Sequence, residues 1–252
     1  MLISMDEKGI PSSETSRYLA REKSIQIIDT DIPRTFPRLS GLFQQGGPHH
    51  LKLQRILEAF TMYRPDIGYV QGMSYVAATL LLFMDNEYQS FVTFSNLMTK
   101  YPIMPFYSFN DVQVRKIMQL YKAVFAHNLP ELCEQFELEN VQPKHYLYEW
   151  FMTLFTRAFD LKLVTRVWDF YYLDGIFVLF QTAIAVLYML QDLMIDGEMD
   201  EILPVLQHVS DYIKEDDEDE FVRTMHQVSF PKWVYAEIPL LESEFFKQDL
   251  ID

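Results

Sequence analysis

The sequence predicts an all-α protein, and three observations carry this prediction. Apolar residues recur at helical spacing along nearly the whole chain, and the alternating pattern of strands joined by hairpin turns is missing. Only 8 of the 252 residues are glycine, which is few for a turn-rich β fold. An apolar content of 49% is also too high for a disordered chain. We therefore expect packed helices around a buried core.

The helices can be placed in order along the chain. Residues 48–64 carry apolar side chains at i, i+3, i+4 and i+7, and we expect Pro48 in the first turn of this helix. Residues 73–84 are almost wholly apolar and predict a buried central helix, and Asn86 is a candidate cap for the helix after it. The same spacing predicts six later helices, around residues 114–125, 147–155, 164–171, 175–193, 199–213 and 217–228.

Glycine and proline mark the joints between these helices, but no low-complexity linker divides the chain. We therefore expect residues 23–246 to form one helical domain, preceded by a loosely ordered segment, 1–22, and followed by a short tail, 247–252. The longest apolar run, 176–190, is shorter than the ~20 residues of a membrane span and is flanked by Asp174 and Asp192. We interpret it as a buried helix.

The charge excludes some functions and directs attention to one part of the chain. Thirty-six acidic against 21 basic residues leave a net charge of −15, which disfavours a globally basic nucleic-acid binder. Residues 1–64 carry 9 basic and 7 acidic side chains, so a contact with a phosphate is best sought there. A single cysteine, Cys133, excludes an intrachain disulfide and a zinc site built on several thiolates.

One short segment with a chemical pattern surrounds Arg34. Pro33 and Pro37 restrict the backbone on both sides of this arginine, and Asp31 lies one turn before it. An ion pair between Asp31 and Arg34 would hold the guanidinium in a set direction, where it could meet a phosphate of a partner. The alternative is an ordinary loop with a surface salt bridge.

A second segment surrounds Gln71. Pro65 and Gly68 end one helix with a tight turn, and Gly72 opens the apolar helix 73–84, so that Gln71 stands at the entrance of a buried helix. A rigidly held glutamine can orient a water molecule, because its amide both donates and accepts hydrogen bonds. The alternative is a helix cap.

The chain resembles the TBC domain, the GTPase-activating domain for Rab-type small GTPases, over roughly residues 25–230. Ile28, Asp31 and Arg34 fit its I-x-x-D-x-x-R signature, and Tyr69-Val70-Gln71 fits its Y-x-Q signature. A third stretch fits in the same order, and it includes Pro143-Lys144-His145-Tyr146, Trp150, Arg166, Trp168 and Asp169.

The resemblance implies two helical lobes packed in one domain, with Arg34 as an arginine finger and Gln71 as a glutamine finger supplied in trans to a GTP-loaded Rab. It further implies that Asp31 orients Arg34 and that Tyr69 and Gly72 fix the loop of Gln71. The remaining motif residues would be architectural, with buried indoles and a partnered Arg–Asp pair: Ile28, Pro65, Gly68, Trp150, Arg166, Trp168 and Asp169.

The same resemblance implies that Mg²⁺ and GTP are held by the partner GTPase. The chain would then need no metal or cofactor of its own, in keeping with the missing glycine-rich phosphate loop and GK[ST] element. It also implies a role in membrane trafficking. The protein would be cytoplasmic and recruited to endomembranes, and it would contact the membrane only through the GTPase.

One departure from the family pattern favours a competing function. Gly9-Ile10-Pro11 and Arg17 match the usual start, but the tryptophan that normally follows is missing, and Ser24 comes almost at once. We therefore expect a shortened N-terminal lobe. The competing function is a non-catalytic Rab-binding effector or scaffold with the same fold, whereas a helical hydrolase with its own acid pair has no site motif here.

Overall fold

The structure is a computed structural model that describes residues 23–249, and no strand occurs among these residues. The all-α prediction is therefore confirmed. In chain order the α-helices of the described part are α1 (23–31), α2 (Ser40–Phe43), α3 (His50–Tyr63), α4 (Met73–Phe83), α5 (Glu87–Met98), α6 (Ile103–Tyr107), α7 (Asp111–Asn128), α8 (Pro130–Leu138), α9 (Leu147–Met152), α10 (Leu161–Asp174), α11 (Ile176–Leu190), α12 (Met199–Gln207), α13 (Val209–Tyr212), α14 (Glu218–Gln227) and α15 (Lys232–Asp249).

The described residues up to Thr99 form one compact unit built around α3, α4 and α5. The predicted face of α3 is buried, with Phe60 in edge-to-face contact with Phe94 of α5 at 5.1 Å between ring centroids. Because α4 packs against both α3 and α5, nearly its whole surface is buried, which explains its apolar sequence. Asn86 caps α5 as predicted, since its side chain accepts hydrogen bonds from the backbone amides of Tyr88 and Gln89.

The residues from Lys100 onward form a second compact unit around α11. This helix is apolar on all sides because α7, α9, α10 and α14 pack around it. The ring of Phe180 lies 5.9 Å from that of Tyr121 and 6.0 Å from that of Phe151. By length and composition the stretch Ile176–Leu193 could cross a membrane, but 61% of it is buried inside the protein, as in a core helix.

Several helix boundaries differ from the prediction. Pro48 lies in a turn before α3 rather than in its first helical turn, because the amide of His49 bonds back to the carbonyl of Leu42 at 3.0 Å. The helix expected over 199–213 is interrupted at His208, which separates α12 from α13. This interruption leaves Val209 buried, so the apolar face continues through it.

The helix expected over 147–155 ends early, at Met152. Leu154 and Phe155 then take positive φ values of 46° and 62°, and both are fully buried. The turn directs the Leu154 carbonyl to the indole N–H of Trp168, which donates to it at 2.9 Å. Local helical spacing could not show this turn, because the indole that uses it comes from α10.

The two tryptophans of the third motif stretch are buried, with Trp150 at 3% and Trp168 at 6% exposure. The side chains of Arg166 and Asp169 are both exposed, with their charged atoms 3.9 Å apart. Arg166 also faces Glu218 at 3.6 Å. An exposed pair at this distance contributes at most about 1 kcal/mol, so packing of the indoles, rather than the ion pair, is the structural role of this stretch.

The predicted domain boundaries stay predictions. Residues 1–22, including the departure from the family pattern at Gly9-Ile10-Pro11 and Arg17, lie outside the described residues. At the other end, α15 continues to Asp249 across the boundary expected after residue 246.

Candidate functional site

The Arg34 segment is anchored on its buried side and open on the other. Helix α1 passes at residue 31 into a single 3₁₀ turn, Ile32–Arg34, which the amide of Thr35 closes on the Ile32 carbonyl at 3.1 Å. Ile28 and Ile32 are fully buried and fix this turn to the core. The Arg34 side chain is 63% exposed. The fold thus presents a guanidinium to solvent from a fixed backbone.

Asp31 connects Arg34 to the second motif. One carboxylate oxygen of Asp31 accepts a hydrogen bond from the Arg34 guanidinium, and the other accepts from the Tyr69 hydroxyl at 2.9 Å. The Asp31 side chain is only 5% exposed, so this buried carboxylate has a donor on each oxygen. Its hydrogen bond and charge raise the pKa of Arg34, which keeps the guanidinium protonated. Burial raises the pKa of Tyr69, which keeps the phenol a donor.

The turn before Tyr69 is fixed by contacts within its own segment. Arg64 ends α3 and forms an ion pair with Asp66, with Nη2 and Oδ2 2.6 Å apart, across Pro65. This pair holds the pKa of Asp66 below its usual range. Gly68 has a φ of 67°, and its amide bonds back to the Arg64 carbonyl at 2.9 Å. The tight turn predicted from Pro65 and Gly68 is therefore present.

Gln71 stands two residues before α4, at the entrance of this helix as predicted, and its side chain is exposed. Gly72 follows with a φ of 104°, a conformation that L side chains rarely adopt. Within residues 23–249 the side-chain amide of Gln71 makes no hydrogen bond. The backbone of Gln71 is thus fixed, while its amide is free to meet an external group.

Four further residues support this site and were not singled out from the sequence. The Ser24 hydroxyl accepts the amide of Tyr69 at 3.2 Å, and Thr35, Ser74 and Tyr75 join the two motif segments. Their contacts span 39 to 45 residues of sequence, so spacing gives no signal for them. A buried hydroxyl in the first turn of an apolar helix, as at Ser74, is the one local hint.

The chemistry available here is that of a cation and an amide presented to a partner. Arg34 offers planar donors to a phosphate, and Gln71 offers a donor and an acceptor to a water molecule. The described residues contain no group of three or more His, Cys, Asp or Glu side chains that could hold a metal ion. Trp150, Arg166, Trp168 and Asp169 belong to the second unit.

Comparisons with known proteins agree on one family. The Rab-GTPase-TBC domain matches residues 3–195. TBC1 domain family member 14 of Homo sapiens is 42% identical over 174 residues, which are 69% of this chain and 25% of that protein. TBC1 domain family member 12 of Xenopus tropicalis is 39% identical over 199 residues, which are 79% of this chain and 28% of that protein. The chain thus spans about a quarter of the length of these two relatives.

A solved structure shares the fold. The Chlamydomonas flagellar RabGAP TBC domain superposes with a TM-score of 0.68 at 22% identity, covering 84% of this chain and 72% of that chain.

Proposed function

Because this chain belongs to the Rab-GTPase-TBC domain family, we propose that it stimulates GTP hydrolysis by a Rab-type small GTPase. The proposed partner is the GTP-loaded form, which supplies GTP and Mg²⁺. The observation that carries the proposal is the position of Asp31, whose two carboxylate oxygens connect the Arg34 segment to the Tyr69–Gln71 segment.

Phosphoryl transfer requires little covalent chemistry from an activator protein. Negative charge develops on the phosphate oxygens of the bound GTP, and a cation inserted from outside stabilises it. We assign this role to Arg34, because its guanidinium is exposed, permanently charged and directed by a buried carboxylate. A directed guanidinium loses less rotamer entropy when it binds the phosphates than a mobile one.

Gln71 has the second proposed role, the positioning of the attacking water. Its amide can accept from that water and donate to a second group at the same time. The Arg64–Asp66 pair and the positive φ of Gly72 fix the backbone from which this amide projects. In this proposal Gln71 replaces the glutamine that the GTPase itself would supply.

The proposal is tested by single-turnover phosphate release from a panel of GTP-loaded Rab proteins. On the Rab that responds, Arg34→Ala should lower the stimulated rate by about 10³-fold or more, the scale of an arginine finger. Gln71→Ala should also remove most of the stimulation. Thermal stability should change little, because both side chains are exposed.

Matched controls are available in the same unit. Arg55 is 58% exposed and forms an ion pair with Glu87, so Arg55→Ala tests the mere loss of a surface cation. Gln89 is an exposed glutamine at the start of α5 and controls for Gln71. Both control variants should keep the parent rate. If the chain binds GTP-loaded Rab proteins but stimulates none of them, the effector or scaffold function replaces this proposal.

A further inference from the structure

Two residues that belong to neither motif, Ser74 and Tyr75, join the Arg34 segment to the helix that follows Gln71. Both stand in the first turn of α4. The Ser74 hydroxyl lies 2.8 Å from the Thr35 hydroxyl, and the Tyr75 hydroxyl donates to the Arg34 carbonyl at 3.1 Å. The carbonyl of Arg34 and the side chain of the next residue, Thr35, are therefore both bonded to the helix that follows Gln71.

The contact between Ser74 and Thr35 is buried, since the two residues are 1% and 0% exposed. The Thr35 hydroxyl also lies 2.9 Å from the Asp31 carbonyl oxygen. The Thr35 hydroxyl therefore has both the Asp31 carbonyl and the Ser74 hydroxyl within hydrogen-bond distance. Removing the Ser74 hydroxyl would thus remove one of these two partners of Thr35 in a dry environment, while the contact with Asp31 remains.

Tyr75 holds the same segment from a second direction. Its ring packs edge-on against Phe36, with centroids 5.1 Å apart, while its hydroxyl bonds to the carbonyl of Arg34. Phe36 has a φ of 48°, which is rare for an aromatic residue. Such a conformation persists only where the surroundings determine it. Tyr75 therefore contacts both the turn at Phe36 and the carbonyl of Arg34.

We propose that Ser74 and Tyr75 are positioning residues, which hold the arginine-bearing and glutamine-bearing segments as one unit. Arg34 and Gln71 then meet a partner in a fixed mutual arrangement. The consequence for hydrolysis rests on the proposed function, whereas the consequence for the order of Arg34 does not. Because an error of ~1 Å at a reacting group can cost ~10²-fold in rate, hydroxyl groups that never touch GTP can still control the stimulated reaction.

The kinetic test uses Tyr75→Phe and Ser74→Ala, which each remove one hydroxyl. Either change should lower the stimulated rate of GTP hydrolysis by about tenfold, as expected for the loss of one hydrogen bond that orders the site. The dissociation constant for the GTP-loaded Rab should stay within about twofold of the parent value. A role in folding alone would lower the melting temperature without this split between rate and binding.

Two variants control for the loss of the same groups elsewhere in the unit. Tyr88 is 73% exposed on α5, so Tyr88→Phe removes a phenol hydroxyl from the surface. Ser90 is fully buried and bonds to the Asn86 carbonyl at 3.2 Å within the start of its own helix, so Ser90→Ala removes an equally buried hydroxyl. Both controls should keep the parent rate.

A second readout needs no GTPase. The side-chain Nε–H signal of Arg34, identified in NMR spectra by its loss in Arg34→Lys, reports how well the guanidinium is ordered. Tyr75→Phe and Ser74→Ala should lower its order parameter, and Ser90→Ala should not. An unchanged Arg34 signal in both test variants would overturn the positioning role. A chain that stimulates no Rab would refute the proposed function instead, and the Arg34 signal would then decide the positioning by itself.

Discussion

At the scale of single residues, the site depends most on Asp31, because each of its oxygens has a different partner. Asparagine at this position has one acceptor oxygen and one donor NH₂ group, so either Arg34 or Tyr69 must lose its acceptor. Tyr69→Phe removes only the second of these bonds. We therefore expect Asp31→Asn to lower stimulated hydrolysis more than Tyr69→Phe does, with both variants measured on the same Rab.

The stability of the same variants separates orientation from folding. The bond between Tyr69 and Asp31 is buried, so its loss in Tyr69→Phe should cost about 1–3 kcal/mol of unfolding free energy in a urea titration. Tyr88→Phe, at the surface, should cost close to nothing. In the hydrolysis measurement, equal stimulated rates for Asp31→Asn and the parent chain would contradict the role of Asp31 in directing Arg34.

At the scale of helices, the start of α4 requires glycine at position 72. The φ of 104° there disfavours any side chain, so Gly72→Ala should destabilise the protein by about 1–3 kcal/mol in thermal or urea unfolding. Gly41 in α2 is a suitable control, because no atom lies within 4 Å of where its Cβ would be. Gly41→Ala should be neutral or stabilising. Similar melting temperatures for the two variants would show that Gly72 is not needed for this turn.

The interior position of α11 gives a second prediction for a helix. Leu187 is fully buried, so Leu187→Asp would place an unpaired charge in the core and should abolish folding. Tyr188, the next residue, is 49% exposed, and Tyr188→Asp should remain folded. Circular dichroism of the two purified variants makes the comparison. A folded Leu187→Asp protein would be incompatible with a core role for α11.

Sequence reasoning succeeded for contacts within one or two turns and failed for those between distant elements. Helical spacing predicted the buried faces of α3 and α11, and the i, i+3 spacing of Asp31 and Arg34 placed these two side chains within reach of each other. The bond from Tyr69 to Asp31 crosses 38 residues, and no spacing rule predicts it. The early end of α9 was missed for the same reason, because the turn after it supplies the Leu154 carbonyl to the indole N–H of Trp168, in another helix.

At the scale of the whole molecule, the family match and the two-motif site coincide. The matched range, 3–195, contains both motif segments and the contacts that join them. The segment up to residue 64 is also the part of the chain with a small excess of basic side chains, within a molecule of net charge −15. Both features support the proposal that Arg34, rather than a residue of the acidic remainder, contacts the phosphate.

In the proposed function, this chain supplies both the arginine and the glutamine for GTP hydrolysis. The most direct measurement uses a responsive Rab whose own switch glutamine is replaced by alanine or leucine, in single-turnover phosphate release with the parent chain and with Gln71→Ala. An activator that supplies Gln71 in trans should keep much of its stimulation on the mutant Rab, and Gln71→Ala should lose it while still binding the GTP-loaded form. A mutant Rab that is wholly refractory to the parent chain, while the unmodified Rab responds, would contradict the claim.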